Sequence, residues 1–393
     1  MRSEFLAFSP PALGEEEIAE VVATLRSDWI TTGPRVARFE RDFADYVGAP
    51  AALAVNSGTS AMHLALVVLG IGAGDAVVTT PMTFCSSVHV IEHTGARPVL
   101  VDVDRRTLNI DPDRVEAAVK ATKSVRAVLP VHLYGHPVEM DSILEVARSA
   151  GLALVEDAAH SLPATYKGRM VGATQGGDDV PDLAAFSFYA TKNLTTAEGG
   201  MLTGAQDLID KARVWGLHGM SRDAYQRYTE QGSWFYEVVE AGFKYNMTDI
   251  QAALGLQQLK RLAVSQERRR QIFERYDRAF AGIEEVEPPT QLPEVEHAHH
   301  LYVLRLKLEM LKIDRARFIA ELRDFKIGAS VHFIPVHLHP YYRDKYGYKP
   351  DDFPVAHGEY LRMVSLPLHP RMTDADVDDV VDAVSTIVDR ERR

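Results

Sequence analysis

The chain has 393 residues, a formal net charge of −12 and 46% hydrophobic residues, enough for two or three domains and a sizeable core. That charge disfavours nucleic acid or an anionic membrane as the main partner, because both select basic surfaces; an anionic small molecule stays open, since a local pocket can oppose the global sign. A single cysteine, Cys85, excludes an intrachain disulfide and fits a reducing compartment.

The opening "MRSEFLAFSPPALGEEE" shows no basic region followed by a long apolar run. No uninterrupted apolar stretch approaches the ~20 residues of a membrane span. A cytoplasmic location without a membrane partner is the expectation, under which the sequons at Asn193 and Asn246 carry no glycosylation message. Residues 14–26 read as a helix. From about residue 50 to 205 short apolar runs alternate with helical patterns. "AALAV" (51–55), "AVVTT" (76–80), "ARPVLVDV" (96–103), "VRAVLPVHL" (125–133), "LALVED" (152–157) and "LAAFSF" (183–188) read as strands. Helices are expected at "TSAMHLALVVLG", from near Thr83, and from the Asp111-Pro112 cap. Continuous rather than alternating hydrophobicity predicts strands covered on both faces. Their alternation with helices predicts an α/β fold with a mostly parallel sheet and right-handed crossovers.

Beyond residue 205 the spacing predicts a helix over 247–262, with Thr248 as N-cap, and then a separate charged helix, "SQERRRQIFERYDRAF". The Pro- and Glu-rich 283–296 reads as a connector. A strand "LYVLRLKL", a helix from Asp314, a strand "GASVHF" and an amphipathic helix from Thr373 follow. These features predict a large domain over residues 1–262 and a smaller C-terminal α/β domain over 263–393.

Three motifs mislead. "GIGAGD" (70–75) follows a helix and leads into a strand, the wrong context for a dinucleotide fingerprint. "HVIEH" (89–93) matches a zinc-protease pattern, but nothing downstream nominates a third ligand, so no metal is expected. "VHFIPVHLHP" supplies His332, His337 and His339, whose mixed apolar setting suits a loop lining a substrate cleft better than a metal site.

Lys192 in "FSFYATKNLTTAEGG" follows a buried-looking strand. Asp157 ends another, at the edge where open α/β sheets bind ligands. The turn "NSGTS" (56–60), with Gly58, Thr59 and Ser60, runs from a strand directly into a helix, whose free N–H groups suit an anion. Phe84 lies beyond "AVVTTP", and Ser187 ends the strand before Lys192. Each has an ordinary structural role open to it: a cap for Asp157, Thr59 or Ser60, a core ring for Phe84, a strand end for Ser187. Together they ask for a flat ring with a phosphate arm, an aldehyde for a lysine and a basic nitrogen for a carboxylate. Pyridoxal phosphate has that shape.

At this point the chain resembles the fold type I pyridoxal-phosphate enzymes, and within them the nucleotide-sugar aminotransferases of the DegT/StrS family. The resemblance rests on "SDWITTGPRVARFE", "NSGTSAMHLAL", "TFCSSVHVIEHTGARPVLVDVD", "VEDAAHS", "FSFYATKNLTTAEGGM", "KYNMTDIQAALGLQQL" and "SLPLHPRMTDADV". It implies an aspartate-aminotransferase-like fold with a seven-stranded, mostly parallel sheet. It further implies that Lys192 is the Schiff-base lysine and proton shuttle, Asp157 the partner of the pyridinium nitrogen, and Phe84 the ring-stacking residue. Gly58, Thr59, Ser60 and Ser187 would serve the phosphate, and His160 the ring hydroxyl. Asn246 would reach the phosphate of a neighbouring subunit's cofactor, which implies a homodimer with shared active sites. The implied reaction moves an amino group from L-glutamate, through pyridoxamine phosphate, to a keto sugar, with UDP-linked 4-keto sugars favoured. Arg222, Arg227, Lys244 and Arg343 are candidates for the nucleotide diphosphate. Relatives that replace the lysine with histidine act as dehydratases; the presence of Lys192 favours transamination over that alternative and over a non-catalytic, cofactor-binding regulator.

Overall fold

The computed structural model describes residues 2–174, 177, 180–221 and 235–393. Its main sheet has seven strands: β1 (Ala51–Val55), β2 (Ala76–Thr79), β3 (Arg97–Leu100), β4 (Val125–Val128), β5 (Ala153–Asp157), β6 (Leu183–Ser187) and β7 (Gly200–Gly204). The spatial order is β1-β7-β6-β5-β4-β2-β3. β7 runs antiparallel to both neighbours, and the other adjacent pairs are parallel. Helices cover both faces, so almost every strand residue is buried, as continuous hydrophobicity requires. The α/β class and the six sequence-predicted strands are present. β7 is not visible in the sequence, because "GMLTG" is bounded by glycines that normally argue against a strand. Here the glycines permit close approach: a Cβ on Gly204 would collide with Leu183, and one on Gly200 with the backbone of Ser57.

A second sheet orders Val286–Glu287, Tyr302–Leu306 and Met363–Leu366, all antiparallel. Two expectations are corrected here. "GASVHF" is not a strand; only Ser330 bridges to the sheet, at Ser365. Side chains take over the pairing, with His332 Nδ1 2.9 Å from Ser365 Oγ and the Tyr134 hydroxyl donating to the His332 carbonyl. The two helices expected on either side of residue 262 are one helix, Asp249–Phe280. No glycine or proline lies between Leu262 and Gln266 to break it. Its first half packs on the N-terminal helices Glu15–Leu25 and Pro34–Val47. Its second half places Ile272, Phe273, Tyr276 and Phe280 in the core under the small sheet. The connector carries two short strands, Val286–Glu287 and Val295–Glu296.

Local capping signals are realised. Asp111, Thr248, Asp314 and Thr373 each accept a hydrogen bond from a backbone N–H of the helix they precede. The helix expected near Thr83 begins at Ser86.

Candidate active site

A cleft of about 430 Å³ opens beyond the C-terminal ends of β5 and β6, where a mostly parallel sheet leaves its crevice. Gly58, Thr59, Phe84, Asp157, His160, Ser187 and Lys192 all line it. These residues come from separate stretches of the chain, brought to one edge because parallel strands all end there.

Asp157 closes β5 and is 3% exposed. Its Oδ2 accepts from Ser87 Oγ at 2.7 Å and its Oδ1 from the Ala159 N–H at 3.1 Å. Burial pushes its carboxyl above the usual range; these hydrogen bonds and the nearby Lys192 and His132 pull the other way. Lys192 sits on the turn after β6, its N–H bonded to the Tyr189 carbonyl at 2.9 Å. Burial lowers its amine from the ordinary 10.5 to about 8, with the Asp157 charge opposing. A lysine poised there is partly unprotonated near neutral pH, as a nucleophile or proton carrier needs.

Phe84 is 57% exposed although it belongs to the cleft wall, and its ring lies 5.7 Å from that of Phe333. An aromatic face left open inside a cleft suits a flat ligand. Opposite chemistry stands at the start of helix Gly58–Val68. Ser57 caps it by accepting from Ser60 N–H at 3.1 Å, and the N–H groups of Gly58 and Thr59 remain at the orphan first positions. A Cβ on Gly58 would lie 2.9 Å from Ser187 Cβ, and one on Gly200 would lie 2.6 Å from Gly58 N. The turn is thus pressed against β6 and β7, which makes a tight cradle for an anion. A flat ring with a basic nitrogen and a phosphate arm fits these donors and acceptors.

His160 has a defined tautomer. Tyr134 N–H donates to its Nδ1 at 3.2 Å, so Nε2 carries the proton. Burial and the Lys192 charge hold this ring well below the usual histidine range. It is a neutral donor, flanked by Phe333 at 5.7 Å and His300 at 4.5 Å between ring centroids.

Two expected residues lie off the cleft wall. Ser60 Oγ turns back to Asn56 Oδ1 at 2.6 Å. Asn246 bridges to Val55 and donates to Thr32 Oγ1 at 2.7 Å, beside a different, small cavity. Of the expected nucleotide ligands, Lys244 is exposed and outside the cleft wall, and Arg343 pairs with Asp344 at 2.8 Å. Arg222 and Arg227 lie outside the described residues. His332 lines the cleft, as a substrate-facing loop would; His337 is buried against Phe353, and His339 precedes helix Pro340–Tyr346. In "HVIEH", Glu92 is held by Tyr341, Lys345 and Tyr346, and His89 stacks on Tyr342.

Sequence reading missed Phe8, His300 and Phe333 in the wall and Ser87 behind Asp157. The run "HAHH" just before a strand was the only local signal for His300. Phe8 arrives from the N-terminus and stacks on His332 at 5.2 Å, which no short-range pattern encodes.

A model of the DegT/DnrJ/EryC1/StrS aminotransferase family matches residues 11–385. The spore coat polysaccharide biosynthesis protein SpsC of Bacillus subtilis is 52% identical over 389 residues, 98% of each chain. The putative sugar aminotransferase Spr1654 of Streptococcus pneumoniae, in its PLP form, superposes with a TM-score of 0.90 at 35% identity, covering 98% of this chain and 99% of that one. A PMP form of the same protein is equally similar, with a TM-score of 0.90. PseC of Helicobacter pylori, an aminotransferase involved in the biosynthesis of pseudoaminic acid, superposes with a TM-score of 0.88 at 26% identity, covering 99% of this chain and 100% of that one. The chain belongs to the DegT/DnrJ/EryC1/StrS aminotransferase family.

Proposed function

We propose that the protein is a pyridoxal-phosphate-dependent aminotransferase that transfers an amino group from L-glutamate to the keto group of a nucleotide-linked sugar, with a UDP-linked 4-keto sugar as acceptor. One observation carries this reading. A lysine amine lowered to about 8 and a buried, hydrogen-bonded carboxylate share one cleft with an exposed aromatic face and a glycine-lined helix N-terminus. Family membership and the sugar aminotransferases among its relatives support it.

Bound there, the cofactor supplies an electrophilic carbon and a ring that takes up electron density from the substrate carbon. The residues of the chain do the rest. Asp157 keeps a proton on the ring nitrogen. Phe84 covers the ring face. The N–H groups of Gly58 and Thr59, with the Ser187 hydroxyl, hold the phosphate, while Ser60, its Oγ turned to Asn56 Oδ1, supports the turn from behind. His160 donates from Nε2 to the ring oxygen. Lys192 would anchor the cofactor covalently; freed by the amino donor, its Nζ would carry a proton from the α-carbon of glutamate to the cofactor and, in the second half-reaction, from the cofactor to the sugar carbon. Asn246 serves the cofactor of the other subunit in a homodimer.

Glutamate added to cofactor-loaded protein is expected to change the cofactor absorbance and release 2-oxoglutarate. A panel of nucleotide-linked amino sugars, run backwards with 2-oxoglutarate, then identifies the acceptor. An unchanged spectrum would leave a binding protein without turnover. Sugar dehydration without 2-oxoglutarate release would mark a dehydratase.

A further inference from the structure

Asn193, the residue after Lys192, donates from Nδ2 to the carbonyls of Leu162 at 2.9 Å and Ala298 at 2.7 Å. These two acceptors fix the amide orientation, because a flipped amide would press its oxygen against both carbonyls. Asn193 Oδ1 therefore faces His300 Nδ1 at 3.1 Å, and only an Nδ1–H completes that contact. The neutral ring then carries a bare lone pair on Nε2. Burial, with the nearby Lys192 charge acting in the same direction, keeps His300 well below the usual histidine range, so the ring stays neutral near pH 7. His300 lines the cleft, and its Nε2 makes no hydrogen bond among the described residues. The neighbouring His160 has the reverse tautomer, with its proton on Nε2. The wall thus holds one obligate donor and one obligate acceptor side by side.

An obligate acceptor discriminates between the two substrates of the proposed reaction. Beyond its reacting amine, glutamate presents only carboxylates, which have lone pairs and no proton to offer. A sugar presents hydroxyls. We propose that His300 is a specificity-determining residue whose Nε2 accepts a hydrogen bond from a hydroxyl of the keto sugar and takes no part in recognising glutamate. This rests on the sugar aminotransferase reading.

The test measures the two half-reactions separately, by cofactor absorbance, for wild type, His300→Phe and His300→Gln. The Phe variant keeps an aromatic ring without an acceptor; the Gln variant restores an oxygen that can accept. His300→Phe is expected to lower kcat/KM for the sugar at least about tenfold with the glutamate half-reaction unchanged, and His300→Gln to recover part of the loss. Should the Phe variant not fold, a set of deoxy sugars gives the same reading: removing the contacted hydroxyl weakens wild type but not His300→Ala. Equal loss in both half-reactions, or no loss in the sugar half-reaction, overturns the proposal. Wild type that reacts with glutamate and with no sugar overturns the parent reading first, and this proposal with it.

Discussion

Ser87 Oγ donates to Asp157 Oδ2 at 2.7 Å, joining helix Ser86–His93 to the end of β5. Thr83 Oγ1 lies 2.8 Å from the same hydroxyl. This bond opposes the burial that raises the Asp157 carboxyl. Ser87→Ala is therefore expected to raise it further. The acid limb of the pH–rate profile should move to higher pH, with activity on that limb falling about tenfold. An unmoved limb would detach Ser87 from the chemistry.

Asp157 also sets a stability trade. Its folded value lies above the unfolded one, so its contribution to stability is present at low pH and is lost as pH rises through the folded value. Asp157→Asn should cost most of the activity. In the cofactor-free protein the variant should gain stability over wild type as pH rises, by about one degree in Tm for each kcal/mol. Thermal melts across pH check this; a constant gap would contradict it.

Lys192 has the opposite arithmetic. Its folded value of about 8 lies below the ordinary 10.5, so its contribution is present above 10.5 and is lost as pH falls through about 8. Amine labelling of the cofactor-free protein should show a midpoint near 8, and Asp157→Asn should lower it by removing the opposing charge. Lys192→Ala should reduce transfer by about 10²–10⁴-fold. Borohydride treatment should tag the peptide containing Lys192 in wild type and leave the variant untagged.

Gly200 lies where a Cβ would come within 2.5 Å of Ser57 carbonyl atoms. Backbone has to move to admit it, so Gly200→Ala should cost about 1–3 kcal/mol. The displaced turn holds the Gly58 and Thr59 N–H groups, so cofactor affinity should fall at least tenfold by about the same energy. Dialysis against pyridoxal phosphate measures it, and an unaltered Kd would separate this turn from the phosphate.

Asn246 lies off its own chain's cleft. If it serves the partner's cofactor, mixing inactive Lys192→Ala and Asn246→Ala homodimers should restore activity. Random exchange makes half the dimers mixed, with one intact site each, hence about a quarter of wild type. No recovery after confirmed exchange would assign Asn246 to its own subunit.

The sequence by itself determined what depends on short-range chemistry. Six buried strands, the caps at Asp111, Thr248, Asp314 and Thr373, and the placing of Asp157, Ser187 and Lys192 at strand ends are all local signals. Because parallel strands share one exit edge, those local positions already implied a common cleft. Only the tertiary structure decided what depends on neighbours far along the chain. β7 exists because its glycines fit between β1 and β6, against their own propensity. Phe8 and His332 meet across more than 300 residues of sequence. The tautomers of His160 and His300 are set by Tyr134 and Asn193, through bonds no periodicity reveals. A proton's position on an imidazole follows the partner of its other nitrogen, and folding alone supplies that partner.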